Sequence, residues 1–282
     1  MQPSIENRSY SSANATRTIC ITSGKGGVGK TTLTVNLGIA IAKSGRRVLL
    51  LDGDLGLANV NVQLGVIPKL TINDVVKGTH RMSEVIRSTN FGIDIIPGAS
   101  GIAALANLGE TERAVLLSEM EALQGYDVML IDTAAGIGEN VLRFVLASDD
   151  IVVVTTPEPT ALADAYGIIK TVLVQGPRRI RLLVNRARTL EHAKQVADHL
   201  SQVTARFTGT PLEVLAFVPL DPLIERSIYQ QKPHLITNSG SRSAQMIRKA
   251  AERLVLPDGS RQSSGVGAFF QRLLNAIPGW AS

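Results

Sequence analysis

A doubly wound, mostly parallel α/β sheet with helices on both faces is the fold the sequence predicts, and three observations predict it. Short apolar runs alternate with longer stretches of helical periodicity, the rhythm of successive strand–helix–strand units. Several of the runs are continuously apolar rather than alternating, so both faces of those strands must be covered. The 282 residues are 44% hydrophobic but only 4% aromatic and 19% charged, which suits an aliphatic sheet core.

Seven runs rich in Val, Ile and Leu give the expected strands: Thr18 to Thr22, Arg47 to Asp52, Ile93 to Ile96, Asp127 to Asp132, Ile151 to Thr155, Ile180 to Asn185 and Val214 to Val218. Helical spacing places helices over Lys30 to Ser44, Thr71 to Lys77, Glu110 to Gln124, Glu139 to Ala147, Ala161 to Val174, Leu190 to Phe207 and Ser241 to Leu254. No internal repeat interrupts them. The Pro, Asp, Gly and Ser cluster at 257–266 reads as a linker. The expected organisation is therefore a disordered polar segment at 1–16, one domain at 17–256, the linker, and a short apolar tail at 267–282.

Lys and Arg outnumber Asp and Glu by 29 to 24, a mild basic excess that admits anionic partners without choosing one. The single cysteine, Cys20, lies in the first apolar run and offers neither a disulfide framework nor a cysteine-held metal cluster. The start of the chain is polar and lacks the apolar stretch of a secretion signal, and no run approaches the length of a membrane span, so an integral membrane protein is not expected.

The chemistry begins at Gly24, Lys25, Gly26, Gly27, Val28, Gly29, Lys30 and Thr31, which match G-x-x-x-x-G-K-[ST]. The motif lies after an expected strand and opens an expected helix, with Thr32 continuing it. Glycines let backbone N–H groups converge on phosphate oxygens, the helix N-terminus adds partial positive charge, and Lys30 and Thr31 are placed for β/γ-phosphate and magnesium. Such a loop needs carboxylates nearby, and Asp132 ends one apolar strand while Asp52 and Asp54 end another. The polar segment from Leu55 to Gln63 reads as a loop able to change shape with nucleotide. Arg143 and the pair Arg178 and Arg179 are weak candidates for a catalytic arginine.

Lys25 departs from a generic phosphate loop and gives K-G-G-x-G-K-[ST], which resembles the deviant Walker A motif of the MinD/ParA family. The resemblance runs from Thr18 to about Leu256 and into the tail. Three blocks, Asp52 to Val60, Asp132 to Gly138 and Pro157 to Tyr166, resemble the FlhG/FleN branch of MinD-like ATPases that control flagellar number and placement. It implies an ATP-dependent, dimerising switch with slow hydrolysis that uses ATP and magnesium. Residue by residue, it implies that Lys25 reaches a nucleotide phosphate across a dimer interface, Lys30 the β/γ-phosphate, and Thr31 the magnesium. Asp54 would orient the attacking water, Asp132 would hold magnesium through a water, and Gly136 would sense the γ-phosphate. Asn185 would read the adenine edge, Pro219 would line its pocket, and Glu158 would reach the opposite nucleotide's ribose. The implied partners are a second copy of the chain, the signal-recognition-type flagellar GTPase FlhF, a FleQ-type transcriptional activator and flagellar switch-complex proteins. No GTPase-activating motif stands out in the first 17 residues.

In the tail, Phe269, Phe270, Leu273, Leu274 and Ile277 recur at helical spacing, with Trp280 beyond them. The segment is too short to span a bilayer and suits either an anionic membrane surface or a docking groove on the domain. The family resemblance implies nucleotide-controlled peripheral attachment at the inner face of the cell membrane near the pole, the tail being tucked away in the monomer. Two other readings stand beside it: a ParA-like DNA-partitioning ATPase, for which the basic excess is small and the apolar tail unexplained, and a MinD protein of cell division.

Overall fold

The computed structural model describes residues 15–54, 59–97, 108–209, 211–256 and 263–276. Its strands are β1 (Arg17–Ser23), β2 (Val48–Gly53), β3 (Arg87–Ser88), β4 (Asp94–Ile96), β5 (Val128–Ala135), β6 (Asp150–Thr155), β7 (Ile180–Ala187) and β8 (Glu213–Pro219). They form one sheet in the order β3-β4-β2-β5-β1-β6-β7-β8, parallel throughout except for β3 at the edge. All seven strands expected from the apolar runs are present. The two-residue β3 is too short to leave a periodic signal.

The helices are α1 (Lys30–Lys43), α2 (Asn59–Leu64), α3 (Ile72–Val76), α4 (Met82–Val85), α5 (Glu110–Glu121), α6 (Glu139–Ala147), α7 (Pro159–Val174), α8 (Leu190–Thr208), α9 (Pro222–Tyr229), α10 (His234–Thr237), α11 (Arg242–Leu254) and α12 (Gly265–Asn275). Two apolar layers sandwich the sheet. On one face α1, α2, α10 and α11 cover Ile19, Ile21, Leu50 and Leu130; on the other α3 to α8 and α12 cover Cys20, Leu51, Ile131 and Val153. Burial on both faces is why the strands read as continuous apolar runs. β1 lies between β5 and β6, so connections leave it toward opposite edges and open a crevice at the strand ends, where ligands of such sheets bind.

The segment read as a polar loop at 55–63 holds most of α2, which buries Val60, Asn61 and Leu64; residues 55–58 lie outside the described residues. Thr16, assigned to the polar N-terminus, is buried, and its hydroxyl donates to the Tyr126 carbonyl at 2.8 Å.

The tail helix α12 starts inside the stretch read as linker and packs against α5, α6 and β1. Phe269 and Phe270 are fully buried, Leu273 and Leu274 nearly so, and the Phe269 ring lies 6.4 Å from that of Phe144 on α6. Polar bonds fasten the ends of this apolar face. Arg272 donates to the Ala147 carbonyl at 2.7 Å and to Asp149 at 3.3 Å, while Arg113 reaches Asn275 at 2.8 Å. Ile277 and Trp280 lie outside the described residues. None of the described helices is long and apolar enough to cross a membrane.

Candidate functional site: a phosphate loop at the head of the sheet

The loop between β1 and α1 turns back on itself through Gly27 (φ 76°) and Gly29 (φ 94°), a left-handed backbone region that side-chain-bearing residues avoid. At Gly29 space is as restrictive as torsion: a Cβ there would stand 2.5 Å from the Asn185 amide nitrogen. No side chain caps α1, which leaves the N–H groups of its first turn pointing at the loop's concavity. A helix start built this way is an anion site.

The neighbouring carboxylates are set by sheet register. Asp52 on β2 pairs directly with Asp132 on β5, which lies opposite Ile21 of β1, so both carboxylates arrive beside the loop from adjacent strands. Thr31 donates to Asp132 Oδ2 at 2.6 Å and Thr34 to its Oδ1 at 3.0 Å. Thr34 is a site residue that the sequence motif did not reveal; its signal is a second hydroxyl three residues after Thr31 on the same helix face. Asp52 accepts from the backbone N–H groups of Asp54 and Val60, both at 3.2 Å, and so ties the start of α2 to the site. Gln63 of α2 donates to Thr32 at 3.2 Å.

Burial dominates the electrostatics. It pushes Asp132 up to about 6, against the hydrogen bond from Thr31 and the charge of Lys30. It pushes Asp52 up to about 7, reinforced by the negative charge of Asp132. Lys30 is itself buried and held below its usual range by desolvation, with Asp132 and Asp54 pulling the other way. The carboxylates of Asp132 and Asp54 acting on Lys30, with Asp52 beside Asp132, leave the pocket short of positive charge, which a divalent ion would meet with oxygen ligands of the kind present at Thr31 and Asp132.

The other expected residues fall into two groups. Asn185, at the head of β7, donates to the Val28 carbonyl at 2.8 Å, while its Oδ1 is buried with no hydrogen-bond partner. A buried, unpaired acceptor beside a phosphate loop suits a ligand with an exocyclic amine. Pro219 ends β8 opposite Ala187, half-buried at the same rim. Lys25 does not enter its own loop: its ammonium donates to Glu158 and Thr160 at 2.8 Å each. Of the weak arginine candidates, Arg143 pairs with Glu139 one turn earlier in α6, Arg179 pairs with Glu213 at the far end of the sheet, and Arg178 is exposed. Among the membrane-facing candidates, Phe269, Phe270, Leu273 and Leu274 lie in the core on α12 rather than in this site.

Known proteins resemble this chain in sequence and fold. A family described as an AAA domain matches residues 16–179. Antiactivator FleN of Pseudomonas aeruginosa is 39% identical over 223 residues, covering 78% of this chain and 80% of the relative. The chain belongs to the MinD/ParA family of P-loop ATPases. The flagellum site-determining protein YlxH of Helicobacter pylori is 32% identical over 93% of this chain and 91% of its own. The septum site-determining protein MinD of Pyrococcus horikoshii, solved with Mg-ADP, superposes with a TM-score of 0.68 at 30% identity, covering 85% of this chain and 96% of that one.

Proposed function

We propose that this MinD/ParA-family ATPase is a nucleotide-driven switch governing flagellar number and placement, whose output is self-association and partner choice rather than a metabolite. The observation that carries the reading is the pair of lysines in one loop, Lys30 buried beside Asp132 and Lys25 turned outward to the rim. The kinship with FleN and YlxH, named as an antiactivator and a flagellum site-determining protein, supports the flagellar role over partitioning or cell division.

In this reading the backbone of Gly26 to Lys30 binds the triphosphate of ATP and Lys30 neutralises its β/γ-oxygens. Thr31 would hold magnesium and Asp132 would hold it through a water molecule, and the ion would supply positive charge to the phosphates. Asp54, at the β2 exit, orients the attacking water, and Gly136 follows the γ-phosphate from the β5 exit. Lys25 reaches the phosphate of a second copy, so that two chains close on two nucleotides. Asn185 and Pro219 flank the base. FlhF, a FleQ-type activator and switch-complex proteins are the partners proposed for the closed dimer, and the tail carries it to an anionic membrane near the pole.

Sedimentation velocity with Mg-ATP and with Mg-ADP tests the core of this reading. The wild-type chain is expected to form dimers with ATP alone, and Lys25→Ala to stay monomeric and lose at least about ten-fold in ATP turnover. A Lys25→Ala protein that dimerises and hydrolyses normally sinks it.

A further inference from the structure

The exit of β8 is the wall at which the reading above places Pro219 against the base, and little core holds it. Leu220 is 51% exposed, and Ser227 is the one buried residue of α9, the helix that follows. The Leu220 N–H bonds the Ala187 carbonyl at 2.9 Å and so fixes the wall to the end of β7. A second support is a chain of buried side chains that serves neither phosphate nor magnesium. The Ser243 hydroxyl donates to Asp221 Oδ2 at 2.5 Å, and His234 Nε2 stands 2.7 Å from Ser243 Oγ and 2.9 Å from Ser241 Oγ. Leu235, next to His234, donates its N–H to Asn36 Oδ1 at 2.8 Å, and the Asn36 amide donates to the Thr32 carbonyl at 2.7 Å in the first turn of α1. Asn36, His234 and Ser243 are all buried. The chain thus runs from the phosphate helix to the base-side wall.

We infer that His234 and Ser243 are positioning residues for nucleotide binding, which tether Asp221 and the Pro219–Leu220 wall to α1 and so set how tightly the base half of the nucleotide is held. The inference rests on the reading that gives Pro219 to the base.

Serine, histidine and aspartate also make up nucleophilic triads, but the proton order here is wrong for one. Ser243 gives its single proton to Asp221, so its oxygen can only accept, and Nε2 of His234 is the donor. The ring is neutral: burial holds His234 below its usual range, with the charge of Asp221 pulling the other way. Burial works against the charge of Asp221, yet bonds from Ser243 and the Leu223 N–H hold its carboxyl below the usual range. The Leu223 bond, at 2.9 Å, also makes Asp221 the N-cap of α9, so one carboxylate fastens both the helix and its tether. At the other end α1 needs no such help, because Leu33, Val35, Leu37 and Ile39 are buried in the core. Cutting the tether therefore frees the wall and leaves the phosphate loop in place.

Titration calorimetry of the full chain with Mg-ADP and with Mg-pyrophosphate, which has the phosphates but no base, tests this. Ser243→Ala cuts the tether with little loss of volume. It is expected to bind Mg-ADP about ten-fold more weakly than wild type and to keep Mg-pyrophosphate binding within about two-fold. His234→Leu should show the same split, and His234→Gln, whose amide restores a donor near the place of Nε2, should recover most of the loss. Unchanged Mg-ADP binding in Ser243→Ala and His234→Leu overturns the inference. Equal weakening for the two ligands also overturns it, because that reports a general loss of structure. A glutamine no better than leucine removes His234 from the role. If the wild-type chain binds Mg-pyrophosphate as tightly as Mg-ADP, the assignment of Pro219 to the base fails, and the inference with it.

Discussion

Burial of ionisable side chains decides the chemistry of single residues here. Asp52 and Asp132 lie in register on neighbouring strands with almost no exposure, and each holds its proton to higher pH than a free carboxyl. The unfolded chain loses the Asp52 proton near 3.8, whereas the native protein keeps it to about 7. The native state therefore binds more protons between those values. Stability of the nucleotide-free protein is full below the lower value and declines as pH rises through the upper one. Asp52→Asn is expected to flatten this decline and raise stability at pH 8 by on the order of 2–4 kcal/mol, measured by urea titration at pH 5 and pH 8. A steeper decline in the variant would contradict it. The motif made Lys25, Lys30, Thr31 and Asp132 legible from sequence. Thr34 was not, because its bond to Asp132 joins residues 98 positions apart and no local pattern records it.

At the scale of elements, α12 was legible as an apolar face of helical period, but its direction was not. Phe269, Phe270, Leu273 and Leu274 have the spacing of an interfacial helix and equally that of a core helix, since the two differ only in what lies opposite. In the folded chain α5, α6 and β1 lie opposite, with the Phe269 and Phe270 rings edge to face at 5.2 Å. Phe269→Ala is expected to destabilise the protein by about 3–5 kcal/mol, the range for emptying a fully buried phenylalanine site, read by chemical denaturation. A cost below about 1 kcal/mol would mean that α12 is not held in the core in solution. Helix α2 shows the opposite failure. Two buried apolar residues, Val60 and Leu64, and buried Asn61 hold a helix most of which reads as loop, and the Val60 N–H is anchored on the Asp52 carboxylate of another element.

For the molecule as a whole, one apolar surface serves the core and is proposed to serve a membrane, so the two uses compete. Taking Phe269, Phe270, Leu273 and Leu274 out of the core costs roughly 1.5–3 kcal/mol for each side chain unless another apolar phase receives it. One tail gains too little to leave the core readily, whereas two tails on one dimer act together. Sedimentation with anionic vesicles is therefore expected to pull down the protein with ATP and leave most of it in solution with ADP. Equal recovery in both states, or recovery unchanged after removal of residues 263–282, would end the membrane role. Helix α6 lies between the two regions: it follows the Asp132 to Gly138 segment directly, and Phe144, Ala147 and the adjoining Asp149 hold α12.

The sequence by itself determined the α/β class, seven of the eight strands among the described residues, the phosphate loop and the family. Each of these rests on local rules: aliphatic runs for doubly covered strands, glycines where the backbone must turn left-handed, and a lysine and a threonine opening a helix. Only the tertiary structure decided that Asp52 faces Asp132, that Asn185 keeps an unpaired acceptor beside Val28, that Lys25 rests on Glu158, and that α12 lies in the core. The physical reason is that a side chain's ionisation and partners depend on which distant segments surround it, and chain order does not record which segments become neighbours.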